Sequence, residues 1–290
     1  MKSPGARLRE AYSKRCIPVP GVFNALVARM AQGAGFEAMY LSGAALSAGL
    51  AAVPDVGLLS ADEFVEQARY LTQASDLPLI VDIDTGFGAP LNVERTVRRM
   101  EEAGVAGVQV EDQQLPKRCG HLSGKKLVET EEMEQKIRAA VSARRDDSFV
   151  IIARTDARGV TGFDDAVERA RRYVAAGADV IFPEAMETVA EFGRFASALD
   201  VPLIANMTEF GKSPLLSVQE LHDLGYRMAL FPVTTFRTAM RAAERTLEEI
   251  KSTGTQRGIV GDMLTRAQLY DLLGYDGYEA RDRAYFGRSK

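Results

Sequence analysis

Residues 105–121 read Val105-Ala-Gly-Val-Gln-Val-Glu-Asp-Gln-Gln-Leu-Pro-Lys-Arg-Cys-Gly-His121. The opening run, 105–110, is short, apolar and β-branched, the pattern of a strand buried in a parallel sheet. It stops at two acids, Glu111 and Asp112. A polar segment follows, and Lys117-Arg118-Cys119-Gly120-His121 sits inside it. Cations and an imidazole beside a thiol favour the thiolate, so this setting predicts a lowered cysteine pKa. Gly120 leaves room for close approach beside the sulfur. The plain alternative is a solvated basic loop with an incidental cysteine.

Outward from this stretch, one pattern recurs. A helix ends at a Gly, an apolar strand follows, and the strand ends in polar or small residues. Ala34-Gly35, Ala103-Gly104, Ala176-Gly177 and Leu224-Gly225 all make this entry, with Gly suited to the left-handed residue past a helix end. Strands are expected over 17–23, 38–42, 78–84, 105–111, 148–156, 179–184, 202–208 and 227–232. Helices are expected over 25–32, 60–74, 91–103, 130–145, 162–175, 188–199, 217–224 and 235–252. Alternating strands and helices imply parallel βαβ units. Eight of them predict an α/β fold, a (β/α)8 TIM-type barrel, with a doubly wound open sheet as the alternative. The chain reads as a single domain over 1–290, with the barrel over about 17–252 and a C-terminal helical extension over 253–290. The extension carries a helical pattern over 262–273 and is rich in Tyr and Leu. It is expected to bury its apolar side on a neighbouring subunit.

Composition narrows the function. A net charge of −4 over 290 residues offers no basic footprint for nucleic acid and no polybasic membrane patch. No apolar run approaches the ~18 residues of a membrane span, and 1–15 lacks a secretory apolar core. Two cysteines, Cys16 and Cys119, fit a reduced, cytoplasmic setting. Only two histidines are present, so any bound metal is expected to have oxygen ligands, as Mg²⁺ or Mn²⁺ does.

In such a barrel the C-terminal strand ends share one face, where chemistry occurs. Those ends supply Tyr40, Ser42, Gly43 and Ala44, then Asp82 and Asp84, then Glu111 and the Cys119 loop. Further along come Arg154, Glu184, Asn206, Thr208, Pro232 and, just beyond, Arg237. Asp82 and Asp84 lie two apart and on a strand point the same way. Two like charges together suit a cation, although helix capping or pairing with Arg154 would also explain them. The amides of 42–44 suit a carboxylate, or form a plain turn. Arg154 and Arg237 suit bidentate carboxylate binding, or structural ion pairs.

Motifs spread over nearly the whole chain resemble the isocitrate lyase/phosphoenolpyruvate mutase superfamily. They include Tyr40-Leu-Ser-Gly43, Asp82-Ile-Asp84-Thr-Gly-Phe-Gly88, Lys117-Arg-Cys-Gly-His121, Ala153-Arg-Thr-Asp156, Phe182-Pro-Glu184, Asn206-Met-Thr-Glu-Phe210 and Thr265-Arg266. The Lys-Arg-Cys-Gly-His loop is specific to the lyase branch. The resemblance implies a homotetrameric barrel, helix-swapped between subunits, that binds Mg²⁺ and cleaves 2-methylisocitrate to pyruvate and succinate. It implies Asp82 and Asp84 as metal ligands, directly or through water, with Glu111 in the outer shell. It implies Ser42, Gly43, Ala44, Cys119, Gly120, His121, Arg154, Glu184, Asn206, Thr208, Arg237 and Arg266 around a small tricarboxylate. Phe182, Leu230 and Pro232 would surround the extra methyl. Two departures stand out: Ala44 replaces a frequent Gly, and 122–126 follows no single subfamily.

A retro-aldol (Claisen-type) cleavage needs a base for the C2 hydroxyl and an acid for the succinate carbanion. Cys119 is the expected acid, and Tyr40 and Asp55 are the candidates for the base. The segment 113–126 is expected to act as a lid. The nearest competing substrates are 2,3-dimethylmalate, other 2-alkylmalates and isocitrate. A dicarboxylate-binding barrel without catalysis is the non-enzymatic alternative.

Overall fold

Eight strands carry the frame of the computed structural model, which describes residues 2–287. They are β1 (Ile17–Pro20), β2 (Met39–Leu41), β3 (Leu79–Asp82), β4 (Gly107–Glu111), β5 (Val150–Thr155), β6 (Val180–Pro183), β7 (Ile204–Asn206) and β8 (Met228–Phe231). β2 to β6 pair in chain order, while β7 pairs with β8 and β8 with β1, all parallel. Parallel bridges Gly21–Tyr40 and Ile181–Leu203 join the two arcs. The ring is therefore closed, as a TIM-type barrel requires, and the open-sheet alternative falls. Each expected strand occurs in shortened form, trimmed at one or both ends; β4 loses 105–106 and keeps Glu111 in the ladder.

Helices α2 (Ala25–Gly33), α4 (Ala61–Ala74), α5 (Pro90–Glu102), α6 (Thr130–Ala143), α7 (Phe163–Ala175), α8 (Val189–Ala196) and α9 (Val218–Asp223) follow the strands. Their apolar faces and the outward strand residues form one buried cluster, including Val81, Val108, Ile151, Phe64, Val97 and Ile137. The inward strand residues form another, including Ile17, Ile80, Ile152, Val180, Phe182 and Leu230. Period-two alternation sorts every strand between these layers.

Two helices fall outside the expected pattern. α1 (Pro4–Tyr12) starts at Ser3, whose side chain accepts from the Ala6 N–H, with Pro4 in the first turn. That Ser-Pro pair is a start signal in its own right. Leu8 and Tyr12 enter the inner cluster, so α1 plugs the barrel floor. Arg9 fastens it, donating to Ser148 O at 2.8 Å and pairing with Asp179 at 2.8 Å. α3 (Gly43–Ala51) begins at once after β2, where the sequence suggested a turn.

The chain divides into two compact units, one up to Phe236 and one from Arg237 onward. α10 (Thr234–Thr253), expected as the last barrel helix, buries none of its described residues, and the division falls near its start rather than near 252. The second unit continues through a 3₁₀ turn (Arg257–Asp262), α11 (Arg266–Leu273) and α12 (Tyr275–Tyr285). α11 starts later than 262 because Thr265 caps it, exchanging bonds with Gln268. Among the described residues α11 and α12 also bury none, and Leu247, Ile250, Leu264, Tyr285 and Phe286 are exposed. No helix of the described chain is long and apolar enough to cross a membrane.

The plug can be weighed directly. Leu8→Ala is expected to lower unfolding stability by about 2–5 kcal/mol, the range for emptying a closed apolar site. Urea unfolding of the purified variant measures this.

Candidate active site

The inner face changes character from floor to mouth. Along β3, Ile80 gives way to Asp82; along β5, Ile152 gives way to Arg154; past β6, Phe182 gives way to Glu184. β4 contributes Gln109 and Glu111. Asp82, Gln109, Glu111, Arg154, Asp156 and Glu184 are all buried.

Arg154 is the centre of this layer. Its Nε and Nη2 bind Asp156 at 2.9 and 3.1 Å, Nη1 lies 3.4 Å from Glu111 Oε2, and Nε lies 3.5 Å from Glu184 Oε2. The guanidinium carbon sits 5.3 Å from the centre of the Phe182 ring. Burial disfavours the charge, but Asp156, Glu111 and Glu184 outweigh it and hold the Arg154 pKa well above its usual value. Burial likewise pushes Glu184 up, and Arg154, His121 and Lys125 more than reverse this, so its carboxyl stays ionised. Asn206 Nδ2 donates to both Glu184 oxygens at 3.3 Å, and the Thr208 N–H donates to Asn206 Oδ1 at 3.1 Å.

Asp82 and Asp84 do meet, though not by sharing a strand face. β3 ends at Asp82, and Asp84 adopts a left-handed φ of 50°, a conformation short polar residues tolerate. That turn brings its N–H to Asp82 Oδ1 at 3.0 Å. The Gly43 N–H, at the start of α3, donates to Asp82 Oδ2 at 3.2 Å. A side chain at Gly43 would stand 3.2 Å from both carboxylates. The Ser42–Ala44 segment therefore spends one amide on Asp82, leaving the neighbouring first-turn amides of α3 for a ligand. The Ser42 side chain makes no cap bond.

Desolvation pushes the Asp82 and Glu111 carboxyls up, and Asp84 up to about 7, with Asp82 adding to the last. The Lys117 ammonium answers this cluster, 2.6 Å from Asp84 Oδ1 and bound to Asp55. Burial lowers the Lys117 pKa, but Glu111, Asp84, Asp82 and Asp55 outweigh it and raise it. Glu111 Oε1 is buried with no hydrogen-bond partner. An additional cation near these acids would offset their desolvation and satisfy that oxygen. No group of three or more His, Cys, Asp or Glu side chains placed to hold a metal occurs among the described residues. The oxygens of Asp82, Asp84 and Glu111, one of them buried without a hydrogen-bond partner, are the donor type of a hard ion held by one or two carboxylates and water.

The 113–126 segment arches over this layer. Gln113 ties its root, accepting from the Arg118 N–H and donating to the Arg118 carbonyl, each at 2.9 Å. An antiparallel bridge joins Gln113 and Leu127. Gly120 presses onto the site: a Cβ there would stand 2.5 Å from Glu184 Cδ, and closer still to Glu184 Cγ and Arg154 Nη2. His121 Nε2 lies 2.8 Å from Glu184 Oε1, while its Nδ1 accepts from the Lys212 N–H at 3.0 Å.

Cys119 corrects the sequence expectation. Its pKa is raised, not lowered: desolvation and the Glu184 carboxylate outweigh the His121 N–H and Arg154. Lys117 and His121 point to carboxylates of other strands rather than to the sulfur. The shift favours the thiol over the thiolate, although the residue as a whole is exposed. Tyr40 is equally unsuited to being a base as it stands. Its hydroxyl donates to Gln109 Oε1 at 2.7 Å, and burial followed by Asp82 pushes its pKa well above 10. Asp55 is engaged with Lys117. Phe182 and Leu230 lie in the inner cluster, and Pro232 is buried at the end of β8. Arg237 and Arg266 belong to the second unit. Sequence reading named Asp112 and Asp156 at strand ends without giving them a role, and gave none to Lys125. Asp156 had a signal, sitting two residues beyond Arg154 where side chains share a face.

The sequence profile of the phosphoenolpyruvate phosphomutase family matches residues 8–251. A 2-methylisocitrate lyase of Aeropyrum pernix is 53% identical over 283 residues, covering 97% of this chain and 91% of the relative. A solved oxaloacetate acetylhydrolase superposes with a TM-score of 0.93 at 35% identity, covering 99% of each chain. A solved 2,3-dimethylmalate lyase does so with a TM-score of 0.92 at 34% identity, covering 98% of this chain and 96% of that one. A phosphonopyruvate hydrolase solved with oxalate and Mg²⁺, at 32% identity and a TM-score of 0.89, has the same architecture. A closed parallel barrel with a charged mouth, beside such relatives, defines an enzyme of the carbon–carbon lyase class. The chain belongs to the phosphoenolpyruvate phosphomutase family, within the isocitrate lyase/phosphoenolpyruvate mutase superfamily.

The closeness of Gly120 to Arg154 and Glu184 is directly testable. Gly120→Ala is expected to keep the barrel folded, because the 113–126 segment can shift away from Glu184 and Arg154 to make room for the added methyl. It should lose about two orders of magnitude in turnover, as misplacement by an ångström does. Steady-state kinetics beside a thermal melt separate the two effects.

Proposed function

We propose that the protein cleaves 2-methylisocitrate to pyruvate and succinate. The observation that carries this is geometric: the Cys119–Gly120 backbone is seated against Arg154 and Glu184, and burial with the Glu184 carboxylate raises the thiol pKa there. A carbanion must receive a proton there, and a passive dicarboxylate binder has no use for a thiol acid. The 2-methylisocitrate lyase relatives support the same substrate.

In this reading Asp82 and Asp84 would hold Mg²⁺, or Mn²⁺, directly or through water, with Glu111 beyond them. Such an ion would supply Lewis-acid stabilisation of the charge that develops on the substrate oxygens. Arg154, the α3 amides at Gly43 and Ala44, Ser42, Asn206 and Thr208 orient the substrate carboxylates. By the family resemblance alone, Arg237 and Arg266 would also bind a substrate carboxylate. A base, for which Tyr40 and Asp55 are the candidates, takes the C2 hydroxyl proton. The C2–C3 bond breaks, its electron pair goes to C3, and C2 becomes the pyruvate carbonyl. Arg154 and the amides stabilise the charge as it builds. Cys119 then gives its proton to C3, completing succinate. Glu184 and His121 hold the lid residue pair Cys119–Gly120 in place. Phe182, Leu230 and Pro232 give the methyl an apolar wall, worth about 1–3 kcal/mol of preference over isocitrate.

Assembly completes the reading. The apolar side chains exposed on α10, α11 and α12 support a homotetramer in which this segment packs on a neighbouring copy, with helix swapping as its form. The whole chain, barrel and extension, would then act as one domain of that assembly, in the cytoplasm.

The test is a product assay with Mg²⁺ and, separately, racemic 2-methylisocitrate, isocitrate and 2,3-dimethylmalate. Pyruvate and succinate from the first, with little glyoxylate from the second, are expected. Glyoxylate from isocitrate, or propionate from dimethylmalate, as the main product would move the substrate. In the same assay Cys119→Ser is expected to bind Mg²⁺ normally and lose most turnover; near-normal turnover would remove the thiol from the mechanism.

A further inference from the structure

Lys117, His121 and Lys125 recur at every fourth residue along the lid. Each turns inward onto an acid beyond a different strand: Asp84 after β3, Glu184 after β6 and Asp156 after β5. The first two belong to the constellation already described. Lys125 bears on that constellation through its charge near Glu184, and its side chain is only 2% exposed. Its Nζ donates to Asp156 Oδ1 at 2.7 Å and to the carbonyl of Gly120, the residue after Cys119. A Cβ on Gly159 would stand 3.4 Å from that nitrogen, so the slot holding it is closed on a third side.

Asp156 is itself fixed. Its N–H donates to Asp112 Oδ1 at 2.9 Å, and Asp112 Oδ2 accepts from Thr155 Oγ1 and the Tyr173 hydroxyl, each at 2.8 Å. The same Asp156 carboxylate binds Arg154 through two nitrogens. One buried carboxylate therefore anchors the arginine from below and, through Lys125, the lid backbone next to the thiol from above.

We propose that Lys125 is a positioning residue, a latch that fixes Cys119 relative to Arg154 through their shared partner Asp156. It touches no reacting atom; it acts through the Gly120 carbonyl. The turnover part of this rests on the lyase reading, whereas the position of the thiol does not.

The test uses Lys125→Met and Lys125→Gln in the full chain. Iodoacetamide reports Cys119 alone, because Cys119 is exposed and Cys16 is buried. The parent thiol is already open to the reagent, so the rate reads its setting beside Glu184, which disfavours the thiolate. Without substrate, alkylation of Cys119 is expected to run about ten-fold faster in the Met variant as the thiol moves away from that carboxylate, the scale of one charge-assisted hydrogen bond. The Gln variant, which keeps a donor, should fall between. Unfolding temperature should stay near that of the parent, since Asp156 retains both Arg154 bonds. Turnover should fall about ten-fold in kcat with little change in KM, because the carboxylate-binding groups are untouched. Unchanged alkylation in both variants would overturn the latch, as would acceleration that merely tracks a lost unfolding temperature. A parent protein without turnover on any substrate would overturn the lyase reading alone, and the alkylation rates would still decide the latch.

Discussion

A buried guanidinium orders the mouth of this barrel. Arg154 sits within reach of Glu111, Asp156 and Glu184, and removing any such group from water is costly unless its partners are fixed. The surrounding structure supplies that fixation. Asp112, Thr155 and Tyr173 hold Asp156, and Asn206 holds Glu184. Phe182 fills the layer beneath the guanidinium. The charges that a reaction would need are thus already oriented by the fold, with little left to reorganise.

A second buried cluster, of Asp82, Asp84 and Glu111, is met by Lys117 from the lid. The two clusters meet the same loop at different residues, and that shared loop makes the fold and the site inseparable. The lid does not rest on the mouth by apolar packing. It is held by basic side chains that turn inward between the strand ends, and Gly120 allows the backbone to come that close.

Most of the barrel was legible because its signals are local. A Gly past each helix end, apolar runs of strand length, and acids in the first helical turn all lie within a few residues. The inward residues of the strands were equally legible, since alternation places Asp82 with Ile80 and Arg154 with Ile152. What escaped depends on distance in space. Asp84 reaches Asp82 through a left-handed turn that no alternation predicts. The Cys119 pKa was misjudged because Lys117 and His121 are adjacent in sequence yet answer to acids from elsewhere in the chain. α3 was hidden by its beginning: Ser42-Gly43-Ala44 reads as a turn, and it is the turn into a helix. α1 was missed although Ser3-Pro4 announces it, because its purpose is the far end of the barrel.

That far end divides the barrel. With Leu8 and Tyr12 filling the floor, the inner core is closed at that end. Its polar layer lies at the opposite end, where Asp82, Glu111, Arg154 and Glu184 are buried. The two ends of one barrel thus do different work: one only seals the core, and the other carries every charge that a small molecule could meet.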